Sequence, residues 1–349
     1  MRPNDDAAKS FRTIGAGQPN GRSWPPSRSD TGRLYLSPPV RAVCDSARMR
    51  AETVAEQLFF ATVRITTLHV DGSTGVGTGF LYTVPTSSDQ EATFLVTNKH
   101  VVSGASKVTL HFIGATDAGM SEPSLGAVHT VEVTDPSAAF RGHSDPGVDV
   151  SIAAVTPWLL QLRSAGYHVF YRSISPTLAL TSENVAELDA LEEVTFLGYP
   201  NGLFDASNGL PIARRGLTAS PLALDYEGKP IFLVDGAVYP GSSGSPVFLL
   251  KTGGFAARDG GFVVGGRLIW LGVIAAVYER AVPVLTVPTA GGSFVRDPLN
   301  IGIVYKARTV DDVVDVLLAE HGLVRHVASQ QPPVEAPALS DDALIEGDG

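Results

Sequence analysis

Residues Tyr239–Phe248 read YPGSSGSPVF, three serines and two glycines set between one apolar run, IFLV, and another, VFLL. A serine hydroxyl is a poor nucleophile until a neighbouring base takes its proton, and that base needs an orienting acid. The oxyanion that then develops needs backbone N–H donors aimed at it. A glycine two residues before the serine adopts backbone conformations that other residues resist. Its N–H and the N–H of the serine can therefore converge. That spacing selects Ser243, with the N–H groups of Gly241 and Ser243 as an oxyanion hole and Gly244 letting the chain pass close behind. Taken alone, the stretch reads equally well as an ordinary Gly/Ser turn.

The deciding residues lie upstream. ATFLVTNKHVV is an apolar run that ends at Thr97-Asn98-Lys99-His100 and resumes with Val101-Val102, so His100 stands at a strand end where a base can be presented. In DPGVDVSIAAV, Asp145 belongs to an Asp-Pro-Gly turn, whereas Asp149 sits between two valines at the head of an apolar strand. A carboxylate buried there requires a charge partner or hydrogen bonds. A histidine would satisfy it, and so would an arginine in a purely structural role. His143, in the loop near the acid, is an outside candidate for the base. The other six histidines have no comparable setting.

Composition narrows the class. The 349 residues are 44% hydrophobic and 18% charged, and the 36 glycines and 24 prolines favour an all-β architecture rich in turns. A net charge of −10 argues against a nucleic-acid partner, which normally meets a basic face. Cys44 is the single cysteine, so no intrachain disulfide is expected. The N-terminus lacks the apolar stretch of a secretory signal, and no run reaches the roughly 18 apolar residues of a transmembrane helix. A soluble cytoplasmic protein with no membrane partner is the expectation.

Residues 1–50, with nine Lys/Arg against four Asp/Glu, read as a basic and largely disordered arm, and 326–349 as an acidic disordered tail. Between them, 51–325 form the expected domain. Asp45 or Ser46 is a candidate cap for a short helix over 45–58. Eleven strand-like runs follow, from LFFATVRITTLHV to LIWLGVIAAV, separated by turns such as DGSTG, GATDAG and DPG, which predicts closed barrels or sandwiches. TVDDVVDVLLAEHG predicts one late amphipathic helix. Thr309 would cap it, Val310, Val313, Val314, Leu317 and Leu318 would be its apolar face, and Gly322 its stop.

TNKHVV, DPGVDVSIAAV and GSSGSP together resemble the His, Asp and Ser boxes of chymotrypsin-like (trypsin-like) serine proteases, in that fold's chain order. Within that family the nearest resemblance is to the bacterial HtrA-like group. GTGFLY resembles its glycine-rich strand before the histidine box, FLGYPNG its inter-barrel segment, and LVDGAVYPGSSGSPVF its serine box. LGVIAAV looks like the strand lining the substrate cleft. The resemblance spans roughly residues 60 to 325 and implies two six-stranded antiparallel β-barrels with a C-terminal α-helix. It implies a serine endopeptidase in which His100 is the base, Asp149 its orienting acid and Ser243 the nucleophile. The substrate is then a protein or peptide, no metal or other cofactor is needed, and the arm and tail leave room for a regulatory protein partner.

Departures from the family pattern sharpen the expectation. Ser242 stands where zymogen-activated members carry the Asp that pairs with a new N-terminus, so activation by N-terminal insertion is not expected. Val101 replaces the cysteine beside the histidine, and Ser245 a second glycine. Too few residues follow the late helix for a PDZ module. The pocket candidates Ala237, Val238, Ile274, Ala275 and Ala276 are uncharged, which implies cleavage after small or medium aliphatic residues, with Asp235 the nearest acid. Two other functions compete with this one: a catalytically silent protease fold used as a binding module, and an esterase or acyl-transferring hydrolase on the same scaffold.

Overall fold

A computed structural model describes residues 32–35, 49–87, 90–258, 260–284 and 293–326, with backbone alone at 32–35, 276, 278–284 and 293–298. The expected arm and tail lie outside the described residues, apart from Gly32–Tyr35 and the positions adjoining the domain. Among the described residues, no helix is long and apolar enough to cross a membrane.

The first half of the domain is an eight-stranded sheet. Its strands are β1 (Gly32–Tyr35), β2 (Thr62–His69), β3 (Thr74–Pro85), β4 (Glu91–Thr97), β5 (Ala105–Ala115), β6 (Pro123–Val133), β7 (Arg141–Gly142) and β8 (Ser151–Ala154). They lie in the order β1-β6-β5-β2-β3-β4-β8-β7, and every pairing is antiparallel. The second half contains β9 (Glu193–Gly198), β10 (Ile212–Thr218), β11 (Ile231–Asp235), β12 (Pro246–Lys251), the small hairpin β13–β14 (Gly254–Ala256, Phe262–Val264), β15 (Arg267–Val284) and β16 (Ser293–Lys306). Six of these close a barrel in the order β10-β11-β16-β15-β12-β9.

The expectation of two closed six-stranded barrels is therefore met by the second half and corrected in the first. Closure of the second follows from β9 pairing with both β10 and β12. In the first half, the edges that would have to meet are already occupied, because β1 pairs along β6 and β7 pairs on β8. A helix fills the interior instead. One residue after β8 the chain enters α4 (Thr156–Ser164), whose Trp158 and Leu162 pack with Ile65, Leu81, Leu95, Leu110 and Val131. The preceding helices are α1 (Val54–Leu58), α2 (Lys99–Val102) and α3 (Pro136–Ala139); α5 (Ser182–Glu187) and α6 (Arg308–Glu320) come later.

One core joins the halves. Phe80, Tyr82 and Phe94 from the first sheet meet Phe248 and Trp270 from the barrel, with Phe80 edge-on to the Trp270 indole at 5.5 Å. The expected late helix, α6, seals this core with Val310, Val313, Val314 and Leu318, and each such side chain contributes about 1.5–3 kcal/mol on burial. It ends in a Schellman motif: Gly322 has φ +68°, Leu323 N–H reaches Leu318 O, and Gly322 N–H reaches Ala319 O.

Several local expectations change. Thr309 is not the cap of α6; β16 runs straight into the helix, and the Thr309 hydroxyl donates back to Lys306 O at 2.8 Å. Helix α1 begins at Val54, where Thr53 and Glu56 form a capping box, and Ala51 with φ +56° is not helical. The candidate caps Asp45 and Ser46 lie outside the described residues. Strand β16 was not expected because Pro298 and Asn300 (φ +60°) interrupt its pattern; register shifts in its pairing with β15 absorb them.

Candidate active site

His100, Asp149 and Ser243 each sit at or beside the end of a regular element. After β4 the chain does not resume as a strand but makes the short turn α2, burying Val101 and Val102 and leaving His100 outward. The first turn of a helix has unpaired N–H groups. Here the His100 N–H donates to Asp149 Oδ1 at 3.1 Å, while His100 Nδ1 lies 2.5 Å from Asp149 Oδ2. An ionised carboxylate only accepts, so Nδ1 carries the proton of this pair and Nε2 keeps its lone pair. The pair is accessible: the ring is 51% and the carboxylate side chain 26% exposed.

The loop carrying the acid is itself anchored. Asn98 Nδ2 donates to Asp149 O at 2.5 Å, and Tyr305 of β16 donates its hydroxyl to Gly147 O at 2.8 Å. Burial pushes the Tyr305 phenol up, a hydrogen bond from the Asp149 backbone opposes the rise, and the Asp149 and Asp145 carboxylates add to it. Asp145 makes the expected turn, with Val148 N–H to Asp145 O at 3.1 Å. His143 faces away from this pair, toward Asp312 on α6 at 3.4 Å.

Ser243 lies on the turn between β11 and β12. Both flanking glycines are obligatory there. Gly241 and Gly244 have φ +88°, and a Cβ would lie 2.4 Å from Tyr199 O at the first and 1.8 Å from Thr78 O at the second. The peptide preceding Gly241 is oriented by its neighbour: Pro240 O accepts from Asn201 N–H at 2.5 Å. In a trans peptide the N–H points opposite to the carbonyl, so Gly241 N–H faces away from Asn201. Among the described residues, neither Gly241 N–H nor Ser243 N–H has an intramolecular acceptor. The turn is closed instead by Ser242 N–H to Tyr239 O at 2.9 Å and Ser245 N–H to Ser242 O at 3.0 Å.

Thr78, in the GTGF stretch, is the residue sequence reasoning passed over. Its hydroxyl donates to Gly241 O at 2.8 Å and accepts from Tyr199 N–H at 3.1 Å. Its backbone N–H donates to Ser243 O at 2.9 Å, and its carbonyl accepts from Thr97 Oγ1 at 2.7 Å. A single fully buried residue of β3 thus ties the first sheet to the serine turn and to the Tyr199–Gly202 segment. The signal for it was a threonine between glycines, a hydroxyl where the backbone can approach closely.

His100 and Ser243 line one cleft of about 460 Å³, along with Val238, Tyr239, Pro240, Gly241, Ala275 and Val277 on the barrel side. The opposite wall is the β2–β3 hairpin, with Thr67, His69, Gly75 and Val76. His69 had no expected role; its Nδ1 is 3.1 Å from Gly104 O. Of the pocket candidates, Val238 and Ala275 line the cleft, Ile274 is buried in the barrel core, Ala237 lies beside Val238, and Ala276 follows in β15. Asp235 is exposed at the end of β11. Arg214 stacks its guanidinium over the Tyr239 ring at 4.8 Å, and burial lowers its pKa. Ser243 Oγ donates to Ala275 O at 3.0 Å. Ala275 is the extra residue of a β-bulge between Ile274 and Ala276 in the pairing with β16, which turns its carbonyl toward the serine.

An antiparallel two-part frame with histidine, aspartate and serine at one cleft is the arrangement of trypsin-like proteases. The chain belongs to the trypsin-like peptidase domain family, whose model matches residues 77–257. Several solved structures are similar to it. The active form of the Rv3671c protease from M. tuberculosis is 18% identical, with 85% of this chain and 96% of that one covered and a TM-score of 0.37. Deg5 is 16% identical, covering 63% and 81%, with a TM-score of 0.36. The thermostable serine protease AL20, from an extremophilic microorganism, is 13% identical, covering 73% and 95%, with a TM-score of 0.39. Two curated proteins of Desulfitobacterium hafniense, strains DCB-2 and Y51, each named gamma-glutamyl phosphate reductase, are 29% identical over 185 residues, 51% of this chain and 41% of theirs. The chain thus spans less than half the length of these curated relatives.

Proposed function

We infer that the protein is a serine endopeptidase in which Ser243 forms an acyl-enzyme, His100 moves the proton and Asp149 holds the imidazole. The observation that carries this is the Asp149 carboxylate gripping His100 through both its ring and its backbone N–H, at one cleft with a serine whose turn leaves two N–H groups free. For the reaction Ser243 Oγ has to leave the Ala275 carbonyl and turn its proton to His100 Nε2 across the cleft the two residues share. Oγ then attacks the scissile carbonyl carbon as its proton passes to Nε2, and the oxyanion is held by Gly241 N–H and Ser243 N–H. Collapse breaks the C–N bond, and the imidazolium gives its proton to the leaving amine. Water, deprotonated by the same nitrogen, attacks the acyl carbon; the acyl–Oγ bond then breaks, the proton returns to Ser243 Oγ, and the acid leaves.

Cleavage after small or medium aliphatic residues is supported by the lining of Val238, Ala275 and Val277, with no carboxylate lining the cleft among the described residues. Arg214 behind Tyr239 adds a cation near that wall, unfavourable to a Lys or Arg side chain. A peptide-library profile dominated by cleavage after Lys or Arg would reject this preference. A neutral Ser242 in a turn closed by its own backbone supports activity without insertion of a new N-terminus.

One observation favours a second reading, the catalytically silent binding module: Ser243 Oγ is engaged by Ala275 O. A fluorophosphonate probe separates the two. Labelling of the wild type and its loss in Ser243→Ala are expected; no labelling of either protein favours the silent module. Labelling that persists in the variant removes Ser243 as nucleophile.

A further inference from the structure

The acid of the cleft stands in a loop that its own half of the molecule secures only in part. Between β7 and β8, Gly147 N–H turns back to Asp145 Oδ1 at 2.8 Å and Val148 N–H to Asp145 O at 3.1 Å. Among the described residues, no group of the first sheet takes the Gly147 carbonyl or the Asp149 N–H. Both are met by one atom of the barrel. The Tyr305 hydroxyl donates to Gly147 O at 2.8 Å, and its oxygen receives the Asp149 N–H. Tyr305 belongs to β16, where it stands opposite Ile231 of β11 on one side and Val273 of β15 on the other.

Those two groups flank Val148, which is itself packed into the shared core. Peptide units are planar, so each residue keeps only two soft backbone dihedrals. Asp149 is held at both ends of its pair, its N–H by Tyr305 and its C=O by Asn98 Nδ2 at 2.5 Å. Asn98 stands at the start of α2, two residues before His100. The acid is thus suspended between the turn that carries the base and the half that carries the nucleophile. With the backbone fixed, only the side-chain torsions of Asp149 remain. His100 sets them, because its backbone N–H and its Nδ1 engage the two carboxylate oxygens separately. Burial raises the Tyr305 phenol above its ordinary value near 10, so it keeps the proton that it donates throughout the neutral range.

We propose that Tyr305 is a positioning residue for the Asp149–His100 pair: through its hydroxyl, the barrel that carries Ser243 sets where the acid stands and so which way His100 Nε2 faces. Thr78 carries the tie in the other direction, from the first sheet to the serine turn. Assembly of the three residues then depends on how the two halves sit together and is built into neither half alone. Ring and hydroxyl are separable. The ring packs against the shared core, a structural role that Tyr305→Phe keeps, while the substitution removes the hydroxyl. The proposal rests on the roles given to Asp149 and His100 in the peptidase reading, and one of its readouts needs no turnover.

The first readout is the low-field NMR resonance of the proton between His100 Nδ1 and Asp149, assigned by its absence in Asp149→Asn. In Tyr305→Phe, shown to be folded by its urea melt, this resonance is expected to broaden away or move upfield. The second readout is fluorophosphonate labelling over a range of probe concentrations. Its maximal rate should fall about 10- to 100-fold, the scale of the lost hydrogen bonds, while the half-saturating concentration stays within about twofold. Should Tyr305→Phe not fold, 2,3,5-trifluorotyrosine in place of Tyr305 decides the matter. Its phenol ionises at lower pH, and a phenolate neither donates to Gly147 O nor tolerates the Asp145 and Asp149 carboxylates beside it. That protein should label like wild type while its phenol is protonated and fall about tenfold behind as the phenol ionises. A folded Tyr305→Phe that keeps the resonance and labels within about twofold of wild type overturns the proposal. So does a fluorinated protein that tracks wild type through the ionisation. If the wild type shows the resonance but never labels, and Tyr305→Phe loses the resonance, the peptidase reading falls and Tyr305 keeps its role.

Discussion

Replacing Thr78 by valine removes one hydroxyl and keeps the shape. In the structure that hydroxyl serves two backbone groups of different segments, accepting from Tyr199 N–H at 3.1 Å and donating to Gly241 O at 2.8 Å, at a site with no solvent exposure. Each buried polar group left without a partner costs about 1–3 kcal/mol, so Thr78→Val should lose roughly 2–6 kcal/mol of folding stability. The functional effect is separate. Gly241 O helps hold the turn that aims Gly241 N–H and Ser243 N–H, and removing one oxyanion donor outright typically costs about 10²–10³ in kcat. Loosening the turn without deleting a donor should therefore cost less, about 10- to 100-fold. Urea denaturation reads the first effect, and the rate of fluorophosphonate labelling under conditions where the variant is folded reads the second. Thr78→Ser keeps the hydroxyl and should restore both to near wild type. A Thr78→Val protein as stable as wild type and labelled within twofold of its rate would refute the assignment of Thr78 as a positioning residue.

Further outcomes are expected. Gly244→Ala places a Cβ 1.8 Å from Thr78 O at a φ of +88°, so it should yield protein that fails to label and unfolds at much lower urea, whereas Ser242→Ala should change urea stability by less than about 1 kcal/mol. His111 accepts from Arg64 through Nδ1 (3.2 Å) and pairs with Thr66 through Nε2 (3.0 Å), and burial lowers its pKa from 6.5 to about 3. Its folded-state pKa is depressed, so between about pH 6.5 and 3 the unfolded chain binds the proton and the folded one does not. Stability should thus fall as pH drops through that window, by up to about 1.4 kcal/mol per pH unit, and His111→Gln should flatten the slope relative to wild type in urea melts.

Much of the frame could be read along the chain because its signals are local. Alternation rich in Val, Ile, Phe and Thr marked eleven of the strands, and the apolar stripe of Val310, Val313, Val314 and Leu318 with Gly322 behind it marked α6. Strands β1, β7, β13 and β14 are short or lie outside such runs, and β16 hides behind Pro298 and Asn300. The turn at His100 was read as a strand resuming, because Val101 and Val102 look alike whether they face a core from a strand or from a helical turn.

The sequence by itself determined the candidates. The His100, Asp149, Ser243 order, the glycine two residues before the serine and the family pattern all reside in contiguous stretches, where residue type and spacing carry the chemistry. What tertiary structure decided depends on groups far apart in the chain. The orientation of the Gly241 peptide rests on Asn201 N–H meeting Pro240 O, and the serine turn is joined to the first sheet through Thr78. The open first sheet follows from β1 and β7 taking the edges that closure would need, and the unpaired edge of β15 from β12 ending while β16 continues. Hydrogen-bond partners and free strand edges are properties of pairing, and pairing is set only when the chain has folded.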